Sequence, residues 1–167
     1  AVSDALSLDG VTIDVPRGWE AELGYFAPPQ PQSDAMADGR PYSLPQAAGR
    51  RVLLHLANFS LPAVRGDYGS GAVEVMDSGS VFVALLEWDR ASVNDRLYAR
   101  VGRPTELRPD DFSPHGLQRR LPGQSGTQRF FQVGGRAFGL YVVLGSYRRR
   151  DVLAVEVNRL LRSIRIS

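Results

Sequence analysis

The chain has 167 residues, enough for one domain with its own core and too few for two. With 43% hydrophobic and 23% charged residues it has the apolar content of a packed globular protein, which excludes a disordered or fibrous chain. The absence of cysteine excludes a disulfide framework, a thiolate metal site, an iron–sulfur cluster and a cysteine nucleophile together. Arginine supplies all 20 basic residues against 18 acidic ones, a balance too even to specify a nucleic-acid binder despite a pI near 9.3. No run of 18 apolar residues appears, and Ala1 does not open a basic and then apolar leader. The expectation is a domain with no transmembrane segment, any targeting or anchoring segment having been removed before this numbering begins.

In chain order, residues 10–15 alternate Val11, Ile13 and Val15 with Thr12 and Asp14, the period of a half-buried strand. Pro16 stops its ladder, and the run Pro16-Arg17-Gly18 is a turn that folds Trp19 back onto the sheet. From about 24 to 50 the character changes, with Pro28, Pro29, Pro31, Pro41 and Pro45 set among Gln, Ser, Asp and Gly. Such a long irregular segment inside a compact domain is either a binding loop or lid, or a passive excursion. Segments 51–59, 81–88 and 136–145 are apolar on both faces, as central strands covered on each side are. Between the first two, a short helix or turn is expected to carry Ala72, Val73 and Val75. The stretch 89–122 shows no decisive period. Residues 128–133 precede the last apolar segment across Gly134-Gly135, a pair suited to a two-residue hairpin turn. Leu153, Val157, Leu160, Leu161 and Ile164 then fall on one helical face, with Asp151 placed to cap the helix and Arg159 and Arg162 outside the stripe. These elements predict a single α+β domain with a mainly antiparallel central sheet sandwiched by helices.

Candidate chemistry is sparse. His55 and His115 are the two histidines, so a metal site would rest on carboxylates, and none of Asp67, Glu74, Asp77, Glu87, Asp89, Asp110 or Asp111 has ligand spacing; no metal and no cofactor are expected. Residues 123–127 (Gly-Gln-Ser-Gly-Thr) approach a nucleophile elbow at Ser125 but bring the second glycine one place early. Residues 66–71 hold three glycines without a phosphate-loop order, and the chain has no lysine to complete a Walker site. Asn58-Phe59-Ser60 matches a glycosylation sequon at the end of a strand. Among the arginine clusters Arg50-Arg51, Arg119-Arg120 and Arg148-Arg149-Arg150, the triplet is the best anion patch, because guanidinium forks match phosphate and carboxylate. Trp19, Tyr42, Tyr68 and Trp88, together with Arg51, stand at strand ends or in Gly- and Pro-rich loops, where amphipathic rings line pockets and interfaces.

The opening Val11-Thr12-Ile13-Asp14-Val15-Pro16-Arg17-Gly18-Trp19 resembles the strand and Pro-x-Gly-Trp turn that begin PsbP-like domains. The close, residues 157–166, resembles the final helix of that superfamily running into a short Ser-Ile-Arg strand. The superfamily includes the photosystem subunit itself, a Ran-binding nuclear-transport factor and many bacterial secreted or lipid-anchored proteins. The resemblance covers about 20 residues at the two ends. It implies an α-β-α sandwich around an antiparallel sheet and a non-catalytic adaptor or binding role, with no metal or partner residues to carry over. The functional expectation is a binding or scaffolding domain of an exported or membrane-tethered bacterial protein. Its partner is expected to be a protein, with a small molecule as the lesser expectation and no nucleic acid. The competing readings are a small hydrolase with a non-motif site around His55, and an anion or nucleic-acid binder using Arg148, Arg149 and Arg150.

Overall fold

The computed structural model describes residues 4–26 and 50–167, so Tyr42 and nearly all of the proline-rich stretch lie outside the described residues. The chain enters as a hairpin of β1 (Asp4–Leu8) and β2 (Val11–Val15). Its turn places Asp9 at φ 45° and Gly10 at φ 80°, the left-handed geometry that joins two twisted strands in two residues. Val11 and Ile13 are fully buried, as the alternation predicts. Beyond Pro16, the Trp19 N–H donates to the Pro16 carbonyl at 3.1 Å and closes the expected turn, with Trp19 packed half-buried on the main core.

The three segments apolar on both faces are the central strands β4 (Val52–Ala57), β5 (Val81–Glu87) and β7 (Arg136–Leu144). Two strands flank them. β3 (Glu20–Tyr25), which has no clear apolar alternation, pairs with β4, and β6 (Ser125–Val133), which starts at Ser125 rather than Gln128, pairs with β7. The resulting order, β3-β4-β5-β7-β6, is antiparallel throughout. Gly134 and Gly135 have φ of 57° and 77° and join β6 to β7 with Val133 opposite Arg136, the mirror-image turn that glycine adopts without a Cβ clash.

Helix α1 (Arg150–Arg162) runs directly into β8 (Ile164–Ile166), which pairs with β2 to complete a second sheet of order β1-β2-β8. Two details differ from the sequence expectation. The N-cap is Arg149, with no side-chain cap bond, and Asp151 sits inside the first turn, where its charge complements the positive end of the helix instead of capping it. Ile164 belongs to β8 and not to the helix, yet it stays buried because the strand faces the same core.

The main core lies between one face of the five-stranded sheet and a layer made of α1 and the small sheet. Leu54, Leu56, Val83, Leu85 and Val142 meet Leu153, Val157, Leu160, Val11 and Ile13 there. A second apolar cluster covers the opposite face, where Phe82, Ala84, Leu86, Tyr141 and Val143 pack beneath Phe59, Leu61, Tyr68, Leu117 and Leu121. Among the described residues this second cover contains no α-helix: it consists of the one-turn 3-10 segment Val73–Val75 and irregular chain. Pro62, Gly66, Gly69 and Gly71 on one segment, and Pro114, Gly116 and Pro122 on the other, deny it a helical run. The ambiguous stretch 89–122 likewise forms short 3-10 turns, Arg90–Asn94, Arg96–Tyr98, Pro109–Asp111 and Pro114–Gly116. Among the described residues no helix is long and apolar enough to cross a membrane.

The packing of α1 sets an expected outcome. Leu160 is 1% exposed and Val155 59% exposed. Leu160→Ala should destabilise the domain by about 2–5 kcal/mol, and Val155→Ala should stay within about 0.5 kcal/mol of wild type. Urea unfolding with an unchanged m value checks both.

Candidate functional site

At the end of the sheet where β5 stops and β7 starts, the neighbouring strands present two buried charges to each other. Arg136 is 8% and Glu87 4% exposed, and the guanidinium grips the carboxylate with two bonds, Nε to Oε2 at 2.7 Å and Nη2 to Oε1 at 3.1 Å. Glu87 Oε1 also accepts the Val52 N–H at 3.1 Å, and Arg136 Nη1 donates to the Asp9 carbonyl at 2.5 Å. The pair therefore joins β4, β5 and β7 to the β1–β2 turn. The Arg136 guanidinium also lies 5.2 Å from the Phe138 ring centroid, so its flat face is covered as well.

Around this pair opens a concavity of about 340 Å³ whose walls carry Asp9, Tyr25, Arg50, Arg51, Trp88 and Asp89. Tyr25 Oη donates to the Asp9 carboxylate at 2.7 Å, a bond that raises the phenol above its usual pKa. Two adjacent arginines then lie on two adjacent aromatics. Arg50 is 5.3 Å from the Tyr25 ring centroid and Arg51 is 4.8 Å from that of Phe26. Arg51 Nε stands 4.0 Å from the Asp89 carboxylate, a loose contact across partly exposed groups. Stacking fixes each guanidinium by its face, and a guanidinium held that way takes a carboxylate or phosphate side-on through its edge. Trp88 lies over Gly139: a Cβ at that glycine would come within 3.1 Å of the indole Nε1.

The other residues singled out in the sequence lie elsewhere. Trp19 borders a separate hollow with Leu6, Val15 and Leu61, rimmed by Asp4, Glu20 and Glu22. Tyr68 packs edge-on against Tyr141 at 5.5 Å on the sheet face away from α1, and burial raises its pKa. Among the described residues Trp88 shares a site with Arg51, whereas strand alternation and the length of the sheet carry Trp19 and Tyr68 to different faces and ends. The feature that sequence reading missed is the Glu87–Arg136 pair. Two charges 49 positions apart give no local pattern, although a glutamate and an arginine bordering fully apolar strands are the signal that was present.

The hydrolase residues are committed to structure. His55, 4% exposed, has both ring nitrogens engaged: Nε2 lies 2.8 Å from the Asp67 carbonyl, and Nδ1 accepts Arg65 Nε at 3.0 Å. Arg65 in turn holds Glu22 at 2.8 Å and also donates to the Pro62 carbonyl. A carbonyl needs a donor and an N–H needs an acceptor, so His55 is the neutral tautomer protonated on Nε2. Ser125 is fully buried at the start of β6, while His55 sits on β4 with β5 and β7 between them, so the two do not form a nucleophile–base pair. Arg148 is exposed, Arg149 is 3.4 Å from the Ser78 carbonyl, and Arg150 lies 4.2 Å from the Tyr147 ring centroid. Arg148 and Arg149 thus lie in the turn that enters α1, and Arg150 is the first residue of the helix.

The chain matches no protein-family model, no curated protein and no solved structure.

The setting of His55 has a consequence for stability. Burial pushes its pKa below the usual 6.5, and the nearby Arg65 charge acts in the same direction. The unfolded chain therefore binds the proton more readily, and stability falls as pH drops below 6.5. The loss is at most about 1.4 kcal/mol for each pH unit until the folded form also titrates. Unfolding midpoints between pH 7.5 and pH 5 should show this slope in the wild type and a flatter one in His55→Gln.

Proposed function

We propose that this chain is a non-catalytic recognition domain that takes a partner protein by its carboxylate groups at the arginine-faced end of the five-stranded sheet. The observation that carries the reading is the double stack of Arg50 on Tyr25 and Arg51 on Phe26. Fixing a guanidinium on a ring before binding removes part of the ordering cost that a free arginine would meet. A neighbouring tryptophan adds the amphipathic area that interface centres favour. The buried Glu87–Arg136 pair ties β4, β5 and β7 together at this end of the sheet and so supports the spacing of the stacked arginines. The engagement of both His55 nitrogens argues against a hydrolase built around that residue.

The broader placement is a PsbP-like domain with a helix on one face of its antiparallel sheet, of the kind found among bacterial proteins that are exported or tethered to a membrane. Its supports are the strand and Pro-x-Gly-Trp opening, the helix that runs straight into a short strand at the close, and the antiparallel central sheet.

The test is a comparison of wild type with Arg51→Glu, in which a guanidinium is replaced by the opposite charge at a partly exposed rim. A protein retained by the wild type and identified by mass spectrometry should then be bound at least tenfold more weakly by the variant, while the thermal midpoint stays within a few degrees. Turnover of a generic ester, phosphoester or peptide substrate that His55→Gln abolishes would contradict the proposal.

A further inference from the structure

Two of the three arginine clusters, Arg119-Arg120 and Arg148-Arg149-Arg150, meet at the opposite end of the sheet, through Arg120 and Arg148. β7 is nine residues long, which puts this place roughly 25 Å from the Glu87–Arg136 end. Here Arg120 and Arg148 stand on either side of an open groove of about 490 Å³ whose floor and walls are Pro114, Leu121, Pro122 and Tyr147. The groove is built and not merely a gap between loops. The Tyr147 N–H donates to the Gly123 carbonyl at 2.7 Å, which pins the two walls together. Arg120 Nη2 lies 2.7 Å from His115 Nδ1, and the Arg150 guanidinium covers one face of Tyr147 at 4.2 Å while donating to the Tyr147 carbonyl at 3.0 Å.

Among the described residues no carboxylate lines this groove. Carboxylates on adjoining segments are engaged elsewhere: Glu74 with Arg119 at 2.8 Å and with the Gly71 N–H, Asp77 with the Gly79 N–H at 2.8 Å and the Ser80 hydroxyl at 3.0 Å. Asp151 belongs to the first turn of α1. The groove thus combines an apolar trough with positive charge on both banks.

We infer that this groove is a second binding surface, which docks an acidic peptide segment of a partner protein, an apolar side chain lying between Leu121, Pro122 and Tyr147 and flanking carboxylates meeting Arg120 and Arg148. The charge complementarity selects an acidic occupant. The walls select a peptide over a nucleic acid, because single-stranded nucleic acid needs a series of open aromatic platforms, and here the one exposed ring already carries Arg150 on one face. Proline and leucine walls instead suit aliphatic side chains.

The experiment uses the whole chain and a fluorescein-labelled peptide of about ten residues with Asp and Glu on either side of a Leu-Pro pair, followed by fluorescence anisotropy. Binding in the micromolar range is expected, weakening on addition of salt and falling at least tenfold in Arg120→Glu/Arg148→Glu. Arg96→Glu, an exposed charge reversal remote from the groove, should change affinity less than twofold. Amide shifts in the wild-type protein on adding peptide should centre on Gly123 and Tyr147, a readout independent of how well any variant folds. The inference is overturned if the peptide does not bind, if its Gln/Asn counterpart binds equally well, or if a ten-nucleotide single strand binds more tightly. Shifts centred on Arg50, Arg51 and Trp88 would also overturn it, while leaving the reading of the other end of the sheet intact.

Discussion

Glu87 and Arg136 form a closed, doubly hydrogen-bonded ion pair on which four separate parts of the chain converge. Each charge alone would cost several kcal/mol to remove from water, so the pair is tolerable only with good geometry and satisfied donors. The geometry is good and all three guanidinium nitrogens are engaged, since the carboxylate takes the Arg136 fork and the Val52 N–H, and Nη1 of Arg136 reaches the Asp9 carbonyl. That last bond links the five-stranded sheet to the β1–β2 turn of the small sheet. Apolar packing can bring two layers together in several registers, whereas a buried carboxylate accepts only the one that satisfies it.

This constraint reaches the surface. Asp9, held through its own carbonyl, orients Tyr25 by accepting the phenol. Tyr25 carries Arg50, and the next residue along, Phe26, carries Arg51. The stacked arginines are thus the outermost layer of an assembly whose innermost member is the buried pair. At the far end of the sheet a similar logic recurs without a buried charge, where Tyr147 is fixed by the Gly123 carbonyl and in turn carries Arg150. A chain without lysine presents its positive charge as planar forks that lie on rings, and both ends of the sheet use this property.

Legibility in the sequence followed the range of the interaction. The two-residue turn at Gly134-Gly135, the helical stripe from Leu153 to Leu161 and the apolar strands β4, β5 and β7 are set by neighbours in sequence, and each was readable. β1 and β3 are edge strands with mixed faces, so alternation barely marks them, and their place depends on partners far along the chain. The second cover of the sheet was expected to be helical in part because apolar strands need covering on both sides. The need was real, but irregular chain bearing Phe59, Leu61, Tyr68, Leu117 and Leu121 meets it. Of the site, Arg51 and Trp88 were readable as unusual residues at strand ends. Their companions Asp9, Tyr25 and Arg50 were not, because only the pairing of β3 with β4 and the docking of the β1–β2 turn bring them together.

Whether Glu87 and Arg136 act as one unit is measured directly by a double-mutant cycle of unfolding free energies with Glu87→Leu and Arg136→Met. Either single replacement leaves a buried charge without its partner and should cost about 3–5 kcal/mol. The double replacement should cost well under their sum, with a coupling of more than about 1 kcal/mol. Single costs that add to within about 0.5 kcal/mol would show two independent residues and would remove the foundation proposed for the recognition face.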